Sequence, residues 1–197
     1  MSTLTLKELS APTGEVIKIA AGKTLDLKTQ GSVTMPTGSV LQVVSTTKTD
    51  TFVVTSNSFV DITGLTATIT PSSASSKILV TVSVSFSGEQ NAYVAFYVVR
   101  DSTAILQPTE TGTGIECAGG YAINSQGNNQ YSVHRELMTG LDSPNTTSAI
   151  TYKVQVSPMR TSSKAVSINR SHIIGDDNQF RTTSTITVQE IQGCLLN

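Results

Sequence analysis

A few side chains in this sequence are of the types that bind metal ions. His134 and Glu136 lie two residues apart, so on a β-strand they would point to the same face. His172 is followed by Asp176 and Asp177, which could add further ligands. The simpler interpretation is that the first pair lies on an exposed polar strand and the second group in a solvated loop. The sequence therefore predicts no metal site and no bound cofactor.

The sequence also gives little support for nucleophilic or hydrolytic chemistry. Cys117 would act as a nucleophile only beside a histidine base. We interpret Cys117 and Cys194 as two free, largely buried thiols. A disulfide between them is the alternative that the sequence leaves open. Glycoside hydrolysis requires a pair of carboxyl groups. Nothing in the sequence marks such a pair among Glu89, Asp101, Glu110 and Glu116. We expect no catalytic residues and no enzyme, and a small glycan-active enzyme is the least favoured alternative.

The composition argues against several classes of partner. Charged residues make up 14% of the 197 residues and the formal net charge is -1, so there is no clustered basic face for nucleic acid. No basic run would attract an anionic membrane surface, and no apolar run approaches the ~20 residues of a membrane-spanning helix. The first residues lack the features of a secretory signal. We expect a protein made in a cytoplasm that binds neither nucleic acid nor membrane.

The elements that must position these side chains are β-strands. Between residues 78 and 86 every second side chain is apolar, which is the period of a half-buried strand. Similar alternation occurs at residues 65–70 and 150–157, where Pro71 and Pro158 are expected to end the strands, and again near the C-terminus. About eight to ten strands separated by turns predict an all-β fold, an antiparallel β-sandwich of the jelly-roll type over residues 38–197.

Residues 1–37 follow a different pattern. Three apolar-polar-apolar triplets start eight residues apart and are separated by glycines. Each triplet has too few apolar side chains for a core, so it needs cover from stacked rungs or from other copies of the chain. We interpret this segment as a repetitive β shaft, intertwined in a trimer and used for attachment; a hairpin packed on the main domain is the alternative. The predicted attachment residues are Ile17, Ile19, Leu25, Leu27, Val33 and Met35.

One predicted strand is apolar on both faces. It covers residues 93–99 and contains no charged side chain, so both of its faces need cover. One face can pack into the sandwich core. For the other face we expect a neighbouring subunit, because a monomer rarely exposes a large apolar patch; a loop of the same chain is the alternative. We place Tyr93, Phe96 and Val98 at this subunit interface.

The segment from residue 106 to residue 129 is the first candidate for an exposed contact surface. It is rich in Gly, Thr and Asn, and loops on a rigid scaffold can vary without unfolding it. A linker that contacts nothing is the alternative. The predicted contact residues are Gln107, Glu110, Tyr121, Asn128 and Asn129.

Several short stretches resemble virion proteins of tailed bacteriophages, particularly those of marine bacteria and cyanobacteria. Residues 37–44 resemble the junction between the shaft and the head of a fibre. Residues 59–65, 69–73 and 76–80 resemble the opening of the head domain, and residues 99–101 and 184–191 fit the same pattern. The resemblance implies a tail fibre or other virion structural protein with a trimeric head, similar to the jelly rolls of the C1q and tumour-necrosis-factor superfamily.

These observations together predict the subunit of a homotrimeric fibre or spike, assembled in the cytoplasm of a host bacterium and located in the virion. Its N-terminal segment would contact other virion proteins, and its head would bind a glycan or a protein on the host surface. Long tail fibres carry a large anchoring domain, whereas only 37 residues precede the head here. A capsid decoration protein, or head fibre, that braces the shell is therefore the main alternative.

Overall fold

The computed structural model describes residues 21–23, 35–110, 112–123, 131–159, 164–175 and 179–193. The chain divides into two compact units, Met1–Thr34 and Met35–Asn197, and every described strand belongs to the second unit. Met35 is exposed. The shaft stays a prediction, because its other attachment residues lie outside the described residues: Ile17, Ile19, Leu25, Leu27 and Val33.

The described part of the second unit is built from eleven β-strands and contains no α-helix. The first six strands are β1 (Val40–Lys48), β2 (Phe52–Val54), β3 (Val60–Ile69), β4 (Lys77–Gly88), β5 (Tyr93–Arg100) and β6 (Thr103–Ile105). The other five are β7 (Gly119–Ala122), β8 (His134–Asp142), β9 (Ile150–Met159), β10 (Val166–Ile168) and β11 (Ser184–Ile191). Among these residues no helix is long and apolar enough to cross a bilayer.

The strands form two antiparallel sheets that face each other. The six-stranded sheet has the order β1-β11-β4-β10-β2, with β8 also paired to β4. The five-stranded sheet has the order β3-β9-β5-β6, with β7 also paired to β5. The four-strand sets β1-β11-β4-β8 and β3-β9-β5-β6 have the connectivity of a jelly roll, in which the chain crosses repeatedly between the sheets. The predicted antiparallel sandwich is confirmed.

The core lies between the sheets because alternate side chains of each strand point inward. Five alternate residues of β4 are fully buried, namely Ile78, Val80, Val82, Val84 and Phe86. Across the sandwich, the ring of Phe86 meets the ring of Phe96 on β5 in an edge-on contact, with centroids 5.2 Å apart. The long alternation read from the sequence therefore marks the inner face of β4 correctly.

The two prolines expected to end strands behave differently. β3 ends at Ile69, two residues before Pro71, as predicted. The prediction for Pro158 is wrong, because β9 continues through it to Met159. Beyond Val156, β9 no longer pairs with β3 and pairs only with β5. A proline is tolerated there because its missing N–H breaks no bond to β3.

Glu190, near the end of β11, is a fully buried carboxylate. Its Oε1 accepts hydrogen bonds of 2.7 Å from the backbone N–H of Ser72 and from the hydroxyls of Ser72 and Ser76. Its Oε2 accepts a bond of 2.6 Å from the side-chain amide of Gln42. Burial by itself would raise the pKa of Glu190, but these hydrogen bonds outweigh it and hold the pKa below its usual range. The carboxylate thus joins β1, β11 and the turn before β4.

A second polar network connects the two sheets. Asp142 on β8 accepts two hydrogen bonds from Nη1 of Arg100, at 2.7 and 2.8 Å, and one of 2.7 Å from the hydroxyl of Tyr152. Arg100 and Tyr152 belong to β5 and β9 of the opposite sheet. Burial and the hydrogen bond to Asp142 raise the pKa of Tyr152 far above its usual value, so the phenol remains a donor.

Candidate functional site

The pair His134 and Glu136 lies on β8 and is half-buried, which corrects the expectation of an exposed polar strand. The His134 ring packs against the ring of Tyr121 with centroids 4.3 Å apart, and burial lowers the pKa of His134. Glu136 lies under Gly119, where an added Cβ would come within 2.7 Å of Oε1 of Glu136. Burial raises the pKa of Glu136. Both side chains serve in the packing of β7 on β8.

No three potential metal ligands come together among the residues that the structure describes. Nδ1 of His172 lies 3.3 Å from the hydroxyl of Ser167. Asp176, Asp177 and Cys194 lie outside the described residues.

Cys117 is a half-buried free thiol. Burial and the carboxylate of Glu136 raise the pKa of Cys117. A nucleophilic cysteine needs the opposite shift, because the thiolate is the reactive form. The environment of Cys117 therefore suits a packed side chain.

The four acidic candidates fall into two pairs of different kinds. Glu89 accepts a hydrogen bond of 3.0 Å from the backbone N–H of Ala165, and Asp101 accepts one of 2.9 Å from that of Thr151. Both of these carboxylates hold the backbone in place. Glu110 and Glu116 line one cavity of about 280 Å³ in the segment between β6 and β7. Both are exposed.

The predicted interface residues of β5 divide between the two faces of the strand. Phe96 and Val98 are fully buried in the core between the sheets, so we assign them to the core and they leave no surface for a neighbouring subunit. Tyr93 is 38% exposed on the opposite face. On that face the ring of Tyr97 stacks on the ring of Phe59 from the same chain, with centroids 3.6 Å apart.

The segment between β6 and β7 packs across the outer face of β5. Ile115 and Cys117 enclose a cavity of about 230 Å³ with Ala95 and Met159, and the backbone N–H of Ala118 bonds to β5. This face of β5 is therefore covered by a loop of the same chain, which is the alternative considered from the sequence.

The predicted contact residues are dispersed. Gln107 is half-buried and bonds to the carbonyl of Ile105 at 3.2 Å. Glu110 is exposed, and Tyr121 keeps 39% of its surface exposed while it packs on His134. Two others lie outside the described residues, namely Asn128 and Asn129. A role of this segment in contact with a partner stays a prediction.

The outer face of the six-stranded sheet carries an array of uncharged side chains that the sequence did not reveal. The strand registers align them in three rows across β1, β11, β4 and β8. The rows are Val43, Gln189, Leu79 and Leu141; then Ser45, Thr187, Thr81 and Thr139; then Thr47, Thr185, Ser83 and Leu137. We call these three rows the hydroxyl face.

Many hydroxyl groups of this face pair with one another across the strands. Ser45 bonds to Thr187 at 2.8 Å, Thr47 lies 3.3 Å from Thr185, and the hydroxyls of the neighbouring pair, Thr81 and Thr139, are also 3.3 Å apart. Cross-strand pairs of this kind stabilise a sheet. They also occupy polar groups that would otherwise need water, so the face is easier to desolvate than its composition suggests.

Aliphatic side chains flank these hydroxyls and are strongly exposed. Val43 is 54% exposed, Leu137 65% and Leu141 57%. Met138 of the same strand is buried on the inner side, so β8 has apolar side chains on both of its faces. That double-sided pattern is the signal by which the sequence could have indicated this face.

No protein-family model matches the chain, and no curated protein matches it. One similar solved structure is described as "Structure of infectious bursal disease virus Gx strain". The two chains are 12% identical, with a TM-score of 0.42, and the match covers 87% of this chain and 46% of that one. This chain therefore spans about half the length of the viral chain. A likeness at this level carries no argument about function.

Proposed function

We propose that this chain is a virion structural protein, the subunit of a homotrimeric fibre or spike whose jelly-roll heads pack together through the hydroxyl face. The observation that carries the proposal is the exposure of Leu137, Leu141 and Val43 within three aligned rows that contain no charged residue. Single exposed apolar residues are ordinary, but an aligned group on one sheet face is typical of an interaction surface.

The hydroxyl face is large enough to form part of an intersubunit contact. Four strands at a spacing of ~4.8 Å and the five residues that the three rows span at ~3.4 Å give a plane of roughly 19 by 17 Å, or about 320 Å². Side chains corrugate this plane, so its accessible area is larger. Each partner contributes ~800 Å² to an interface of standard size, so neighbouring surface would complete the contact.

The absence of charged side chains from the three rows favours a second copy of the chain as the occupant. When identical surfaces meet near a symmetry axis, each charge approaches its own copy, which is repulsive. The three rows contain no charged residue, although Nη1 of Arg135 donates to the hydroxyl of Ser83 at the edge of the third row. A face of Ser, Thr, Gln, Leu and Val with one cation at its edge can therefore pack on itself with little like-charge repulsion. Three copies, as opposed to two, is what the resemblance to phage fibre heads implies.

In this proposal the N-terminal segment binds other virion proteins and the head loops reach towards the host surface. Binding to a host glycan or protein would rest on weak contacts repeated over the copies, because linked sites raise the overall avidity.

The test is the mass of the purified full-length chain, measured by light scattering coupled to size exclusion. We expect a value near three times the subunit mass of 20.8 kDa. Leu137→Asp should convert the trimer to folded monomers, because three buried copies of the new carboxylate would repel one another. Ile174→Asp is the matched control, because Ile174 is exposed to a similar degree but lies outside the hydroxyl face.

Two outcomes would contradict this assignment. A Leu137→Asp variant that still forms stable trimers would show that another surface holds the subunits. A monomeric wild-type protein would overturn the fibre model and leave the hydroxyl face available to a capsid shell, which is the decoration role considered above.

A further inference from the structure

A cavity of about 350 Å³ opens at the edge of the six-stranded sheet, where β8 begins and the chain approaches β11. The residues that line it are Ser85, Ser132, Val133, His134, Arg135, Phe180 and Thr182. Its volume is at the lower end of the ~300–1,000 Å³ that ligand pockets occupy. The cavity therefore has room for one small ring.

The lining combines three kinds of chemistry. Ser132 offers a hydroxyl group that both donates and accepts hydrogen bonds. Ser85 is 1% exposed and its hydroxyl donates to the carbonyl of Thr183, and the hydroxyl oxygen of Thr182 is buried. Phe180 offers an apolar ring surface that is 60% exposed. Arg135 supplies the charge. These lining residues include no carboxylate, so an anionic guest is favoured.

The guanidinium of Arg135 is held in place and keeps donors to spare. Its Nη1 donates to the hydroxyl of Ser83 at 2.7 Å, and its Nη2 donates to the carbonyl of Thr183 at 3.4 Å. A guanidinium has five N–H donors, so these two bonds leave others unused. A guanidinium with unused donors can bind a carboxylate or phosphate group.

We propose that this cavity binds a single sugar ring that carries a carboxylate or phosphate group. The apolar C–H face of the ring would lie on Phe180, one of its hydroxyls would meet Ser132, and its acidic group would meet Arg135. The inference deepens the proposed host-surface function and rests on it for its biological use. Its chemistry comes from the cavity alone.

The test is a ligand-observed NMR titration of the full chain with glucuronate, glucose 6-phosphate, inorganic phosphate and glucose. We expect at least one acidic sugar to bind about tenfold more tightly than glucose, and its binding to weaken as salt is added. Preference for glucuronate would identify a carboxylated glycan as the source, and preference for glucose 6-phosphate a phosphorylated one. Inorganic phosphate that binds as tightly as either sugar would overturn the sugar site.

Three variants locate the binding. Arg135→Gln should abolish the preference for acidic sugars, and Phe180→Ala should weaken all sugars alike. Arg181→Gln is the matched control. Arg181 is exposed, follows Phe180 in the sequence and does not line the cavity, so the variant removes the same charge without changing the lining. Equal losses in Arg135→Gln and Arg181→Gln would show a diffuse charge effect and overturn the site.

The same samples separate this inference from the proposed assembly. A trimer that binds no acidic sugar refutes the cavity and leaves the fibre model intact. Leu137→Asp monomers that still bind the sugar support the cavity independently of assembly.

Discussion

Replacing Glu190 by alanine removes a buried carboxylate that accepts four hydrogen bonds. Ser72 is an exposed residue, so water can replace the carboxylate as its partner, and Gln42 keeps a bond of 2.7 Å to the carbonyl of Thr70. Ser76 is 1% exposed and has no such recourse. Breaking a buried charged network costs about 3–5 kcal/mol, and partial hydration here should bring the loss of unfolding free energy to about 3 kcal/mol.

That loss corresponds to a decrease in Tm of about 9 °C, since 1 kcal/mol shifts a domain of this size by roughly 2–4 °C. Glu190→Gln keeps the volume but offers a single acceptor oxygen, so its cost should be about half as large. Glu116→Gln is the control, because Glu116 is exposed on a loop. The measurement is chemical or thermal unfolding of the three variants at pH 7.

The pH dependence gives a second, independent readout. Because the pKa of Glu190 in the folded chain lies below its ordinary value of 4.5, its stabilisation is complete above that ordinary value. It is lost as the pH falls through the lower folded pKa. The stability difference between wild type and Glu190→Gln should therefore shrink on acidification. A difference that is the same at pH 7 and pH 3, or a cost of Glu190→Ala below about 0.5 kcal/mol, would refute this account of the network.

Two further predictions concern the network between the sheets and the thiol. Asp142→Asn should lower the unfolding free energy by about 2 kcal/mol, because it leaves the Arg100 charge unpaired between the sheets. Asp61→Asn, at a more exposed pair with Lys153, should cost less than about 1 kcal/mol, and equal costs in urea titrations would contradict the distinction. Cys117 should react with iodoacetamide more slowly than a free thiol at pH 8, and Glu136→Gln should accelerate it, because the Glu136 carboxylate helps to raise the pKa of Cys117. Mass spectrometry on a Cys194→Ser background measures both rates, and an unchanged rate in Glu136→Gln would remove Glu136 as a cause.

The sequence alone determined the fold class, because strand alternation is a local property. Val80, Val82 and Val84 share one face of β4 whatever surrounds the strand, and a period of two residues cannot bury a helix face. Enough strands with turns between them leave a sandwich or a barrel as the means of burial. Pro71 also ended its strand as a local signal predicts.

Tertiary structure decided which faces are inside. Where a strand is apolar on both sides, alternation shows which residues share a face but not which face is buried. Phe96 and Val98 on β5 turn towards the core, whereas Leu137 and Leu141 on β8 turn outward. From the sequence alone, Phe96 and Val98 are predicted at a subunit interface, and no role is predicted for Leu137 and Leu141.

The hydroxyl face and the cavity beside it could not be predicted from local sequence patterns, for a related reason. Val43 and Leu141 stand in one row only because β1, β11, β4 and β8 pair in a particular register. Arg135 and Phe180 likewise line one cavity although they are distant in sequence. Register between distant strands is set by long-range pairing of the buried faces. The outer surface that results is therefore a consequence of how the core packs, and no stretch of the sequence encodes it by itself.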